Sequence, residues 1–137
     1  MNTKLRCIML VDDNAADNQF HEIIIREMDA AERVVVSLNG EEALTYLKQD
    51  GQIPPELIFL DINMPRMNGW EFLEAYKDLT PAQKARVVIV MLTTSGNPED
   101  RERAAHFSEV TGFETKPLTE EMLAEILREH FSGGAGE

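Results

Sequence analysis

Four short apolar runs, at residues 5–11, 34–36, 56–60 and 87–92, are separated by stretches of helical periodicity. Each run is nearly continuous rather than alternating, the pattern of a strand buried on both faces. A weaker fifth candidate lies at 112–115. Between the runs, Phe20, Ile23, Ile24 and Met28 share one helical face, as do Ala43, Leu44 and Leu47, then Phe72, Leu73 and Tyr76. Met122, Leu123, Ile126 and Leu127 form a last stripe, whereas residues 98–109 carry a poor one. Strand then helix, five times over with short connections, predicts a doubly wound α/β fold: a parallel sheet covered by helices on both faces.

The helix starts share a device. Asn14, Asn39, Asn68 and Asn97 are each followed three positions later by an acid, namely Asp17, Glu42, Glu71 and Asp100. Asn is a strong N-cap, and an acid at the third helical position can reach back to the cap as in a capping box. It also suits the positive end of the helix. Pro98 directly after Asn97 fits the first helical position.

Charge narrows the function classes. The chain of 137 residues holds 13 basic and 25 acidic residues, a formal net charge of −12. Duplex DNA and anionic membrane both repel such a chain, which suits a bound cation or a basic partner surface. One cysteine cannot form an internal disulfide, so a reducing compartment, the cytoplasm, is expected. The run at 5–11 is too short to span a bilayer and ends in two aspartates rather than a cleavage site.

Polar residues collect where the strands stop. Asp12 and Asp13 follow the first run, Asp61 the third, Thr93 and Thr94 the fourth, and Lys116-Pro117 the fifth. In a parallel sheet these ends share one edge, where open α/β sheets bind ligands. Read singly, a strand-end Asp is commonly a cap or turn residue, and Thr93 or Lys116-Pro117 alone means little. Four such sites on one edge, in order, carry the argument. Carboxylates held close raise one another's pKa, and a hard cation relieves this. Oxygen ligands favour Mg²⁺ or Mn²⁺, with Ca²⁺ not excluded by the count. A cation, a lysine and a hydroxyl around a carboxylate describe a phosphoryl-accepting site with the aspartate as nucleophile.

At this point the sequence resembles a known family, the receiver domain of two-component response regulators. The residues that carry the resemblance are Asp12-Asp13, then Asp61-Ile62-Asn63-Met64-Pro65-Arg66-Met67-Asn68-Gly69, Thr93 and Lys116-Pro117. The resemblance covers residues 4 to about 131. It implies a flavodoxin-like, CheY-like (βα)5 fold with strand order 2-1-3-4-5. It implies that Asp61 accepts a phosphoryl group from a histidine of a sensor kinase or phosphotransfer protein. Asp13, Asp61 and the backbone carbonyl of Asn63 would bind Mg²⁺ (or Mn²⁺), with Asp12 assisting through water. Thr93 and Lys116 would contact the phosphoryl oxygens. Phe113 occupies the place of the family's switch aromatic, where Tyr is often found. Thr94 stands where many receivers have Ala or Gly, which bears on the phosphoryl lifetime.

Further readings complete the expectation. Cys7 reads as core, Trp70 and Tyr76 as packing, and Gly69 as opening the third helix. Arg101 and Arg103 read as residues of a solvated face, and His21, His106 and His130 show no ligand spacing. Residues 4–131 are expected to form one domain, with a Gly-rich tail at 132–137. Only 21 residues follow Lys116 (137 − 116), so a stand-alone receiver is expected. It would act through a downstream protein or a second copy, with phosphorylation altering the surface around residues 97–131. A phosphohydrolase using an aspartyl phosphate is the rival. It is disfavoured because the position two after Asp61 is Asn63, which supplies no general acid, so the chain is read as a switch and not an enzyme. A degenerate receiver that only binds proteins is disfavoured by Asp13, Asp61, Thr93 and Lys116 all being present.

Overall fold

The structure, a computed structural model, describes residues 4–84, 87–94 and 97–131. The order of elements is β1 (Ile8–Val11), α1 (Ala15–Glu27), β2 (Val34–Ser37), α2 (Gly40–Lys48), β3 (Leu57–Leu60) and α3 (Gly69–Tyr76). Then follow α4 (Pro81–Lys84), β4 (Val88–Thr93), α5 (Pro98–Ala105), β5 (Val110–Thr115) and α6 (Glu120–Phe131). The five strands form one parallel sheet in the order β2-β1-β3-β4-β5. The Gly-rich tail expected at 132–137 lies outside the described residues.

Both faces of the sheet are covered, and successive strand residues divide between them. Met9, Val11, Ile58, Leu60, Ile89 and Met91 join Ala43, Leu44, Leu47, Phe72, Leu73 and Phe107 in one core layer. Ile8, Leu10, Leu57, Phe59, Val90 and Leu92 join Ile25, Leu123 and Ile126 in the other. Helices α2, α3 and α5 therefore cover one face, and α1 and α6 the other. Burial on both faces is why the strands read as continuous apolar runs.

All four asparagines cap as expected: Asn14, Asn39, Asn68 and Asn97 each accept from the backbone N–H three residues on. Three readings need correction. The run at 5–11 is not strand throughout, because the Arg6 N–H donates to the Glu56 carboxylate (2.7 Å), and Leu5 makes only an isolated bridge to Ala31. Helix α1 turns a different face inward: Asn18, His21 and Ile25 are buried, while Phe20 and Ile23 are exposed. Arg101 and Arg103 are exposed as expected, and their guanidinium carbons also lie 4.8 Å and 4.6 Å from the ring centres of Phe113 and Trp70. Helix α4 was not expected, although Thr80 and Gln83 exchange side chain-to-backbone hydrogen bonds (2.9 and 3.2 Å), a capping box visible as Thr-Pro-Ala-Gln.

Candidate functional site

Strand register brings the polar residues together. Val11 pairs with Leu60, so Asp12 and Asp61 emerge side by side from β1 and β3. Thr93 is level with Thr115, which puts Lys116 one step beyond β5, and the Lys116 N–H donates to the Thr93 carbonyl (2.7 Å). Asp12, Asp13 and Asp61 can each direct a carboxylate oxygen so that all three lie within 4.8 Å of one another. Asp12, Asp61 and Thr93 are buried, and Asp13 is exposed. Three hard oxygen donors at this spacing fit a divalent cation of the Mg²⁺ type. Asn63 is exposed, two residues beyond Asp61.

Lys116 reaches across this edge. Its Nζ lies 2.6 Å from an Asp12 oxygen, 2.9 Å from Asp17 and 3.7 Å from Asp61. Burial alone would lower the lysine pKa, but the hydrogen bonds to Asp12 and Asp17 outweigh it and hold it above its ordinary value. Asp61 is also raised, up to about 6, by burial first and then by the neighbouring Asp12 charge. Lys116 opposes that shift without cancelling it.

Asp17 is the functional neighbour that sequence reasoning missed. Its sequence position suits a capping acid, and its N–H does donate to Asn14 Oδ1 (2.9 Å). Its carboxylate does not return to the Asn14 N–H, because that donor is already taken by Asp12 Oδ1 (2.9 Å). It bonds Lys116, 99 residues away. The only signal in the sequence was an acid four positions after Asp13.

A buried polar pair backs the site. Asn18 Nδ2 donates to the Asp12 carbonyl (2.8 Å), which leaves Asn18 Oδ1 pointing away and without a hydrogen-bond partner among the described residues. With His21, Asp12 and Asp61 it lines a cavity of about 10 Å³, room for about one water. Burial lowers the His21 pKa and the Lys116 charge lowers it further, so the imidazole is neutral at pH 7.

The loop after Asp61 is pinned by backbone contacts. The Gly69 N–H donates to Ile62 O (2.8 Å) and the Gly40 N–H to Met67 O (3.0 Å). A Cβ on Gly69 would sit 2.4 Å from the Asp61 carbonyl oxygen, so only glycine lets α3 start this close to the site. Phe113 is buried in the core layer, with the Arg101 guanidinium over its ring. Thr94 is exposed beside Thr93.

Comparison with known proteins agrees with this geometry. Residues 8–128 match the family model for the response regulator receiver domain. The response regulator Rcp1 of a Synechocystis strain is 32% identical over 99 residues, covering 69% of this chain and 66% of that protein. A protein-glutamate methylesterase/protein-glutamine glutaminase of Desulfotalea psychrophila is 37% identical over 90 residues, 66% of this chain but only 24% of its own length. The chain thus spans less than two thirds of these relatives. Among solved structures, a two-component response regulator from Cytophaga hutchinsonii superposes with a TM-score of 0.85 at 28% identity, covering 94% of this chain and 98% of that one. A five-stranded sheet in this order, an acidic strand edge with a lysine, and a family match across nearly the whole fold have one reading: the chain belongs to the response regulator receiver domain family.

Proposed function

We propose that this protein is a phosphorylation-controlled switch in which Asp61 accepts a phosphoryl group from a histidine of a sensor kinase or phosphotransfer protein. The observation that carries the reading is the placing of Asp61, buried at the end of β3 with Lys116 Nζ at 3.7 Å and two further aspartates within 4.8 Å. The P–N bond of the donor breaks, its electron pair returns to the imidazole nitrogen, and a P–O bond to Asp61 forms. Asp61 needs its carboxylate ionised to attack, and Lys116 favours that form against burial and Asp12. Asp12, Asp13 and Asp61, with the Asn63 carbonyl, would hold Mg²⁺ or Mn²⁺, which supplies the positive charge that screens phosphoryl oxygens from the aspartates.

Lys116 pairs with one phosphoryl oxygen, and the Thr93 hydroxyl donates to another. Phe113 pairs with Met91, two residues before Thr93 on β4, and a shift of Thr93 towards the phosphoryl group would reach Phe113 through that strand. The output surface is the α5-β5-α6 side, which a downstream protein or a second copy recognises. An electronegative chain with no helix among the described residues long and apolar enough to cross a membrane fits protein partners rather than nucleic acid or lipid. Water attack on the acyl phosphate returns Asp61 and phosphate, so the only chemistry is on the protein itself.

The test is intact-mass measurement after incubation with acetyl phosphate. One phosphoryl group is expected with Mg²⁺, none with EDTA and none on Asp61→Asn. Full labelling of Asp61→Asn would overturn the assignment.

A further inference from the structure

Asp17 has no part in the function just proposed, yet it holds one of the strongest contacts of the site. We infer that Asp17 is an internal anion that competes with the phosphoryl group for Lys116, and that phosphorylation releases it and so loosens the first turn of α1. The inference rests on Asp61 being the phosphoacceptor and adds what regulates that site.

An ammonium has three N–H donors. Two are committed, to Asp12 at 2.6 Å and Asp17 at 2.9 Å. Asp61, at 3.7 Å, lies beyond hydrogen-bond distance. The two committed partners hold the ammonium off the nucleophile. A phosphoryl group on Asp61 brings three strongly accepting oxygens and close to two negative charges into that gap. Lys116 has its third N–H for these oxygens, but Asp12 and Asp17 hold Nζ 3.7 Å from Asp61, and closing on the phosphoryl group draws it away from one of them. Asp12 is the costly one to leave, because its contact is the shorter, at 2.6 Å, and its side chain is only 7% exposed, so water does not readily replace the ammonium there. Asp17 is 35% exposed and returns to water. The exchange therefore falls on Asp17.

The consequence is local to α1. Asp17 lies in its first turn, and its contact with Lys116 ties that turn to the loop after β5. The turn is otherwise held by the Asn14 cap, the backbone bond from Asn18 N to Asn14 O and the Asn18 Nδ2 bond to the Asp12 carbonyl. Releasing the carboxylate removes the tie between this turn and the loop after β5. Phe20, exposed one turn further on, rides on this segment.

The test uses fluoroberyllate, a phosphoryl mimic, titrated with Mg²⁺ into the full chain by calorimetry. Asp17→Asn removes the competing charge at constant size. It should bind the mimic about tenfold more tightly, from the loss of one negative charge a few ångströms from the incoming anion. Asp17→Glu, which restores an anion, should move affinity back towards wild type. A merely structural role for Asp17 gives the opposite sign, since a damaged site binds less. Unchanged or weaker binding by Asp17→Asn overturns the inference. Amide hydrogen exchange of residues 15–20 is the second readout. Wild type should exchange faster with the mimic than without, and Asp17→Asn should exchange fast in both states. Equal protection of wild type with and without the mimic also overturns it. If Asp17→Asn does not fold, Asp17→Ser carries the same expectation. Labelling by acetyl phosphate separates the two readings. If wild type labels on Asp61 while Asp17→Asn binds no tighter, the competition alone is wrong; if Asp61 does not label, both readings fall.

Discussion

Helices α1 and α3 open with the same local device and put it to different uses. Asn68 and Glu71 close a complete capping box, each side chain bonding the other's backbone N–H at 2.9 Å. Behind it α3 buries Trp70, Phe72, Leu73 and Tyr76, an apolar face of the kind its sequence announces. Asn14 and Asp17 have the same spacing, but the box is opened: Asp12 takes the Asn14 N–H and Asp17 goes to Lys116. Behind it α1 buries Asn18 and His21 and leaves Phe20 and Ile23 in water. A helix against the charged edge of the sheet gives up local capping and apolar fit to arrange Asp12 and Lys116. A helix that only supports the loop after Asp61 keeps both.

The sharpest break of this contrast lies in the core under α3. Phe72 is fully buried within the layer that contains Leu60, Met91 and Phe113. Phe72→Ala should cost about 3–5 kcal/mol, the usual range for a lost core aromatic, as measured by urea unfolding. A loss below about 1 kcal/mol would mean that α3 does not anchor this face.

The next largest effect concerns Asp61, whose carboxyl is raised from the unfolded-chain value near 3.8 to about 6. Between those two pH values the folded protein holds a proton that the unfolded chain has lost. Stability without added metal therefore falls as pH rises through that window, and the penalty is complete above pH 6. The shift corresponds to about 2–3 kcal/mol. Asp61→Asn should be more stable than wild type by about that amount at pH 7 in EDTA, and nearly equal to it below pH 4. Thermal melts across pH 3.5–8 check this, and Mg²⁺ should narrow the gap by stabilising wild type alone. A site that costs stability is the expected signature of one arranged for chemistry rather than for folding.

The same contrast explains what could be read in the sequence. The strands, the burial of the sheet on both faces and the four caps follow from signals of short range, namely continuous apolar runs and Asn with an acid three residues on, whereas the strand order is implied by the family resemblance alone. Asp12, Asp13, Asp61, Thr93 and Lys116 were legible because a parallel sheet sends every strand end to one edge. The face of α1 was not legible. Phe20, Ile23, Ile24 and Met28 form a plausible apolar stripe, and only the tertiary partners of Asn18 and His21, namely Asp12 and its surroundings, turn the helix away from it. Asp17 was hidden for a similar reason. Its local role as a capping acid was sufficient, and the lysine that claims it lies 99 residues away. The ring contacts of Arg101 and Arg103 leave no mark in the sequence, because a charged head can lie over an aromatic ring while staying exposed.

The smallest predicted effect is the most direct comparison of the two helix starts. Asn68→Ala and Asn14→Ala each remove one side-chain acceptor from a third-position N–H, at 2.9 Å in both cases. Each should cost about 1 kcal/mol of stability, since a lost Asn cap is worth about that in either place. Their effects on the site should differ. The Glu71 carboxylate bonds only the Asn68 backbone in this device, so fraying that turn leaves Lys116 as it was. Fraying the first turn of α1 loosens Asp17, and with it the grip on the lysine. Asn14→Ala should therefore bind fluoroberyllate about two- to fivefold more tightly than wild type, less than the full charge removal in Asp17→Asn but in the same direction. Asn68→Ala should stay within about twofold of wild type, because no charge near Lys116 is released. Calorimetric titration of the two alanine variants side by side, at matched stability in mild urea, reads the difference. Equal affinities would show that the capping turn of α1 serves the helix alone, as it does in α3, and that the diverted carboxylate has no hold on the site.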